Sequence, residues 1–385
     1  MLDGLRGQTG ATRARLARAT GLPKSTVTGI VARLIEAGLV REIPLDGEDS
    51  TARGRGRPAG ALAVAARAPL AALAISHLAT RVAVLDEAGR ILVRRAELRE
   101  AGLDPDDRVA SALHLLDAAV ADHAAGGGGP LAFDRAVIGL PVPVHQIQGA
   151  TPMRADRAGH LRRIAELRED TLGLNADPVG QVAARLGVPV VAANDVNLAA
   201  LGESRFGAGR GIDSFVYVKV AEGIGAGLIL DGRLYRGATG IAGELAHVHT
   251  HDGGPLCLCG ARGCLATALY VAPSLLATIQ AAYRDPLTFR DVIALCTHGD
   301  EGVRRILADL GRRIGAVLAD FCVMINPGAV VVDGMLEQAA EPVVEGIRES
   351  IDRRTPPMIS RHLQVLPGVL GDRAELLGAL ALAAD

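Results

Sequence analysis

The stretch from His247 to Cys264 constrains this chain more than any other. Ten positions after His247 comes Cys257-Leu-Cys259-Gly260-Ala-Arg-Gly263-Cys264, so three of the five cysteines fall within eight residues. In an intracellular protein such a cluster points to a metal site rather than a disulfide framework. Three thiolates and one imidazole complete a tetrahedral shell for one structural Zn2+ per chain, with no coordination position left open for catalysis. Gly260 and Gly263 suit a knuckle in which the backbone bends tightly around the ion. The plain alternative is a chance cluster of small, buried thiols.

Length and charge set the frame around this site. With 385 residues the chain has room for two or three domains and a sizeable core. Arg, Asp or His interrupts every apolar run before it reaches membrane-spanning length, and Met1 to Arg6 lacks the layout of a signal peptide. The expectation is a soluble, cytoplasmic protein with no membrane partner. Residues 1–60 hold ten Lys/Arg against six Asp/Glu, a balance of +4, which leaves −6 for the remainder. A basic head on an acidic body places a polyanion partner at the N-terminus.

The head reads as a winged helix-turn-helix. Thr12 to Ala19 suits a short helix, Gly21 a tight corner with Leu22 pointing inward, and Pro23 the first turn of the next helix. In Lys24–Ala37, Val27, Ile30, Val31, Leu34 and Ile35 share one face, and Gly38 ends the helix as a C′ glycine. Lys24, Ser25, Thr26, Thr28 and Arg33 are left to face double-stranded DNA, reaching phosphates and base edges in a major groove. Leu39–Ile43 and Ala61–Val64 read as the strands of a wing. Its tip, Arg53-Gly-Arg55-Gly-Arg57-Pro58, is slim enough for Arg55 and Arg57 to enter a narrow minor groove. An ordinary helical hairpin followed by a flexible basic linker is the competing reading. Only eleven residues precede the first helix, and Gly4, Gly7 and Gly10 disfavour a long helix there, so a preceding helix is expected to be missing from this start.

From residue 69 strands and helices alternate, which implies an α/β body in two similar lobes. Leu70–Ile75, Arg81–Leu85 and Arg90–Val93 read as a strand meander. Ala136–Leu140, Val188–Ala192, Phe215–Ala221, Gly227–Leu230 and Ala329–Val332 read as further strands. Arg108–Ala125, Pro178–Leu186, 302–325 and 340–352 read as helices. Cys296 and Cys322 sit in apolar helical surroundings and read as core residues.

Asn194-Asp195-Val-Asn197, Gly223-Ile-Gly225-Ala-Gly227, Gly243-Glu244-Leu-Ala-His247 and the cysteine cluster occur in the order and spacing of the ROK family of repressors and sugar kinases. The head resembles that family's repressor branch, and the resemblance covers nearly the whole chain. It implies a winged helix-turn-helix over 1–65 followed by a two-lobed actin-like, RNase H-like ATPase fold. The first lobe would span 69–193, with a C-terminal helix at 371–385 returning to it, and the second would span 194–370 and carry the zinc site. By the same resemblance Asp195 matches the general base that takes a proton from a sugar hydroxyl, while Asn194 and Glu244 bind neighbouring hydroxyls. From the residues alone, the alternative reading of Asp195 is a helix N-cap before Leu198-Ala-Ala-Leu201. His247 resembles the zinc ligand whose second ring nitrogen faces the sugar; His249 and His251, alternating with it along the same strand direction, are surrogate candidates that match the family spacing less well.

Two departures bear on function. Kinases of this family open with Asp-x-Gly-x-Thr, whereas this chain reads Ser76-His77-Leu78-Ala79-Thr80, so the metal-positioning carboxylate is absent and Leu78 obstructs a phosphate. Gly223 to Gly227 is then a phosphate-loop remnant or simply a tight turn between strands. Ala266 stands where the family usually carries a sugar-binding glutamate, and Asp170 to Asn175 lacks the usual tryptophan. The expectation is a regulator, a repressor, that binds operator DNA as a homodimer and responds to a sugar or sugar derivative, with vestigial Asp195 and no turnover. The alternatives are an ATP-dependent sugar kinase with an added DNA-binding head, and a sugar-blind regulator whose zinc lobe docks a protein partner.

Overall fold

The protein is described as a computed structural model covering residues 12–36, 40–43, 61–64, 68–76, 79–98, 108–142, 144, 177–221, 223–251, 253–257, 259–269, 276–334 and 339–384. It divides into two compact units, residues 1–67 and 68–385.

The first unit pairs α1 (Arg13–Thr20) and α2 (Lys24–Glu36) with an antiparallel ribbon of β1 (Val40–Ile43) and β2 (Ala61–Val64). Thr12 caps α1 by accepting from the Arg15 amide, and Gly21 takes the left-handed conformation (φ +68°) that ends it. Leu16, Ala17, Val27, Val31, Val40 and Leu62 form the core, with Leu34 and Ile35 against it. Leu22 does not point inward as the sequence suggested. It is 38% exposed, because the short link swings it outside a core already filled by Leu16 and Val27. Gly38 and the Arg53–Pro58 tip lie outside the described residues.

The second unit contains two five-stranded sheets of one topology. The first has the order β5-β4-β3-β6-β7, built from β3 (Leu70–Ile75), β4 (Ala79–Leu85), β5 (Ile91–Leu98), β6 (Arg135–Leu140) and β7 (Val190–Asn194). The second has the order β10-β9-β8-β11-β12, built from β8 (Phe215–Val220), β9 (Ile224–Leu230), β10 (Arg233–Tyr235), β11 (Ala329–Gly334) and β12 (Gln364–Pro367). In each, an antiparallel meander continues into two parallel strands. In the first sheet the crossover helices among the described residues are α3 (Arg108–Ala125) and α4 (Pro178–Leu186). In the second they include α9 (Glu301–Ile325) and α10 (Glu341–Arg354). Three shorter helices precede α9: α6 (Leu265–Leu269), α7 (Leu276–Gln280) and α8 (Phe289–Thr297). The short α11 (Pro357–Ser360) follows α10.

Strand sequences such as Leu70-Ala-Ala-Leu-Ala-Ile75 are apolar throughout because both faces of the sheet are covered. Alternate residues divide between an outer core, with α3 against Ala71, Leu73 and Ile75, and a central core facing the other sheet. Cys296 and Cys322 are buried in the outer core of the second sheet.

The central layer consists of α5 (Asp195–Phe206) and α12 (Ala374–Ala384). Each follows the last strand of one sheet and packs on the other: α5 against β8 and β9, and α12 against β3, β4 and β6. They cross so closely that a Cβ at Gly378 would overlap the Leu198 carbonyl, and one at Gly202 the Ala374 carbonyl. Two glycines therefore fix how near the first turns of these helices come. Gly378→Ala should cost about 1–3 kcal/mol through overpacking, lowering the thermal midpoint by at least roughly 3 °C in differential scanning calorimetry. An unchanged midpoint would show that the crossing tolerates a methyl group.

Candidate ligand and metal sites

The first-sheet residues that precede α5 end in Asn194, which is its N-cap: Asn194 Oδ1 accepts from the Asn197 amide at 3.1 Å. This displaces the alternative reading of Asp195 as the cap. The Asn194 side-chain amide donates to Val142 O and Asp195 Oδ1, each at 3.3 Å. Asp195 is buried in the first turn of α5, where the amide end of the helix favours a carboxylate.

Lys219, on β8, meets this carboxylate with Nζ 2.6 Å from Asp195 Oδ2, and the same ammonium donates to Glu375 Oε1 in the first turn of α12. The lysine side chain is 13% exposed and both carboxylates 8%, so the ions face one another largely out of water. Burial alone would discharge the ammonium, but the Asp195 and Glu375 carboxylates outweigh it and hold Lys219 protonated, above the ordinary lysine range. Neither Lys219 nor Glu375 emerged from reading the sequence for motifs. The available signal was a single charge inside each of two apolar runs, Phe-Val-Tyr-Val-Lys219-Val and Ala-Glu375-Leu-Leu-Gly-Ala-Leu.

A cavity of about 110 Å³ opens beside this pair. Its lining includes Asn194, Asp195, Lys219, Glu244 and His247, so the four residues expected to bind ligand share one wall. Gly225 and Gly227 belong to β9 rather than to a loop. A Cβ on either would press into Val196 or Ala200 of α5, so these glycines serve helix packing, and only Gly223 lies at the hairpin. Gly243, at φ +96°, has no room for a side chain against Ala226 O and presents exposed Glu244 at the cavity mouth.

His247 closes a single turn of 3-10 helix, Leu245–His247, and points into the cysteine cluster. The strand expected through His247, His249 and His251 reduces to one bridge between His249 and Cys264, because the turn breaks the extended run. His247, Cys257, Cys259 and Cys264 bring one ligand atom each to within 4.8 Å of the others. The Cys259 and Cys264 sulfurs are 3.5 Å apart, and Cys257 Sγ is 3.6 Å from His247 Nδ1. Sulfurs about 3.8 Å apart are what tetrahedral metal bonds of about 2.3 Å require. Gly260 (φ +85°) and Gly263 (φ +68°) supply the left-handed bends of the knuckle. Burial, with help from the neighbouring thiols, pushes Cys264 up to about 12, while hydrogen bonds to the Ala261 backbone and the other two thiols outweigh burial and lower Cys259. The donor set and its spacing fit a tetrahedral metal ion. With Nδ1 toward the sulfurs, Nε2 faces Glu244 Oε2 at 3.9 Å, on the ligand-cavity side.

On the other side of Lys219 lies a second cavity of about 430 Å³, lined by Ser76, Arg81, Lys219, Asp333, Asp372 and Glu375 among others. Ser76 is buried and its hydroxyl bonds to Ala79 O at 3.0 Å; His77 and Leu78 lie outside the described residues. Ala266 is half-buried in α6. In the first unit, Lys24, Ser25, Thr26, Thr28 and Arg33 are all exposed on α2, and Arg55 and Arg57 lie outside the described residues.

The sequence pattern of the ROK family matches residues 79–385. The chain belongs to the ROK family. Residues 1–44 match the IclR helix-turn-helix domain, so the ROK body follows a helix-turn-helix head. The chain is 27% identical to the DNA-binding transcriptional repressor Mlc of Escherichia coli over 382 residues, covering 96% of this chain and 88% of that protein. It is 31% identical to the xylose repressor of Bacillus subtilis over 201 residues, which is 52% of each, so the chain spans about half of that relative. A crystallised ROK transcriptional regulator homologous to Mlc superposes with a TM-score of 0.72 at 25% identity, covering 97% of this chain and 91% of that one. A ROK glucokinase from Streptomyces griseus, crystallised with glucose and AMPPNP, gives 0.61 at 28% identity, with 82% of this chain and 98% of that one covered. These likenesses agree with the mixed α/β, two-sheet kinase-type fold and helix-turn-helix head expected from the sequence.

Burial raises the Asp333 carboxyl at the second cavity to about 6. A carboxyl raised on folding contributes stability that is complete below about pH 4 and lost as pH climbs through about 6. Asp333→Asn keeps an acceptor oxygen for the Gly334 amide, turns its NH2 to donate to the Tyr217 hydroxyl, and should stabilise the fold by roughly 1–2 kcal/mol at pH 8, with no gain at pH 4. Thermal melts at the two pH values check this; an equal effect at both would assign it to packing.

Proposed function

We propose that this ROK-family protein is a DNA-binding transcriptional repressor that responds to a carbohydrate or sugar derivative and has lost kinase activity. One observation carries the reading: a helix-turn-helix unit is joined to a sugar-kinase body whose Asp195 is ion-paired to Lys219. A base that accepts a hydroxyl proton must present a free lone pair, and an ammonium at 2.6 Å already occupies one oxygen of Asp195. The Ser76–Thr80 stretch at the second cavity brings no carboxylate to hold magnesium beside a nucleotide.

The roles divide as the sequence suggested. Residues 1–65 form the winged head, in which Lys24, Ser25, Thr26, Thr28 and Arg33 face the major groove while Arg55 and Arg57 track the minor groove. A homodimer meets a twofold operator in the cytoplasm. The first lobe is 69–193 with 371–385, and the second, 194–370, carries the metal. Asn194, Asp195, Glu244 and His247 read ligand hydroxyls. The ion held by His247, Cys257, Cys259 and Cys264 is zinc, which fixes the loop bearing Glu244 and takes no part in chemistry. The Streptomyces coelicolor glucokinase, 32% identical over 222 residues, sustains the second reading, a working kinase.

Selection of fragmented genomic DNA on the purified protein should recover a discrete operator, and a coupled ADP-release assay with a hexose and pentose panel should show no turnover. Sustained ADP release, or no enrichment of any duplex, would contradict the proposal. Lys24→Ala should weaken binding to all duplexes alike and lower the slope of log affinity against log salt by about 1. A loss confined to one base pair would instead make Lys24 a base reader. Elemental analysis should find about one zinc per chain, falling to near zero in Cys259→Ser; less than about half an equivalent in the parent protein counts against a closed zinc shell.

A further inference from the structure

The second cavity, about 430 Å³, has no occupant in the function proposed above. Its wall carries three cations, Arg81, Lys219 and Arg290, and three acids, Asp333, Asp372 and Glu375. Some of these charges are already engaged. Lys219 belongs to the ion line Asp195–Lys219–Glu375, where it meets Glu375 through Oε1, and Asp372 accepts from Arg94 at 2.9 Å.

Two neighbouring groups are left over. Glu375 Oε2 has no hydrogen-bond partner, although its side chain is only 8% exposed. The Arg81 guanidinium on β4 lies 4.0 Å from that oxygen, beyond hydrogen-bond range, and bonds to no other described residue. A buried polar atom left in this way is unfavourable until something fills the place. Asp333 on β11 has a related need. Its carboxylate accepts from the Gly334 amide and the Tyr217 hydroxyl, no described cation reaches it at hydrogen-bond distance, and burial pushes it up to about 6. Much of the remaining wall is apolar, including Leu98, Ala199, Ala221 and Ile293.

An unengaged guanidinium beside an unengaged carboxylate is complementary to a ligand that carries both signs of charge close together. An anion alone would face Glu375 and Asp333, and an amine alone would face Arg81 and Arg290. An α-amino acid bears its carboxylate and ammonium on one carbon, and its zero net charge matches the balanced wall. We propose that the second cavity is a small-molecule site for an apolar α-amino acid: Arg81 donates to the ligand carboxylate, the ligand ammonium donates to Glu375 Oε2 and Asp333, and the side chain lies against Leu98 and Ile293. This site lies across Lys219 from the cavity that Glu244 and His247 line, and it does not depend on the sugar reading of that cavity.

Isothermal titration calorimetry on the full-length protein tests this at about pH 8, where Asp333 is ionised. The probes are L-leucine, 3-methylbutylamine, which lacks the carboxylate, and 4-methylpentanoate, which lacks the amine. L-leucine should give saturable heat, and each analogue should bind at least roughly tenfold more weakly. Arg81→Gln should weaken L-leucine at least roughly tenfold and erase its advantage over the amine. Leu98 is 57% exposed, so Leu98→Ser leaves the core intact and should still weaken L-leucine by roughly threefold through lost apolar contact. Equal affinity for L-leucine and 3-methylbutylamine would make the cavity a cation site and overturn the proposal. Heat undiminished by both substitutions would place the amino acid elsewhere, and no saturable heat from L-leucine, L-valine or L-alanine at about 10 mM would remove the site. Heat from D-glucose or D-xylose in the same assay bears on the other cavity alone, so the failure of one reading is told apart from the failure of the other.

Discussion

The contact on which the body depends is the crossing of α5 and α12. Two glycines, Gly202 and Gly378, let these backbones approach to a distance that no side chain permits. That approach joins two sheets of the same topology, since each helix leaves one sheet to cover the other. It also brings two helix N-termini, each with one acid, to opposite sides of Lys219. The amide ends of the helices and the ammonium set positive charge beside both carboxylates in a site largely shielded from water. One oxygen of the Asp195 carboxylate is thereby engaged by an internal cation.

The metal knuckle solves a different problem for the same cavity. Among the described residues, 243–264 form one turn of 3-10 helix, two isolated bridges and scattered turn hydrogen bonds instead of a continuous ladder. An ion held by the four gathered donors would fasten this loop in place of a ladder. His247 links the two functions, since one ring nitrogen meets the sulfurs while the other faces Glu244 at the cavity mouth. The cavity wall that carries Glu244 is thus joined through His247 to the four candidate metal donors.

How much of this was legible in the sequence varied with the kind of signal. Chemistry confined to a short stretch was plain: Cys257, Cys259, Cys264 and His247 announce a metal by residue type and spacing, and the structure gathers those four. Long periodic segments such as Leu70–Ile75, Arg108–Ala125 and Pro178–Leu186 were read to within a residue, because burial on both faces or on one helical stripe leaves a strong pattern. Local roles at element ends were less legible. Asn194 rather than Asp195 caps α5, a distinction set by where the strand stops, and Leu22 faces outward because the core had no room for it. The glycines at 225 and 227 suggested a phosphate-loop remnant or a tight turn but serve helix packing, since glycine marks any close approach without saying to what. The interlobe ion line could not be read at all by spacing. Lys219 lies 24 residues from Asp195 and 156 from Glu375, and only the fold makes them neighbours.

What sets this account apart from a kinase with an added head is that ligand is sensed without nucleotide. The sharpest measurement is fluorescence anisotropy of a labelled operator duplex bound to the full-length protein, as an effective sugar is titrated in the presence and in the absence of magnesium ATP. The account predicts superimposable release curves, with the sugar recovered unphosphorylated. A release midpoint that requires ATP, or that drifts as phosphorylated sugar accumulates, would contradict it.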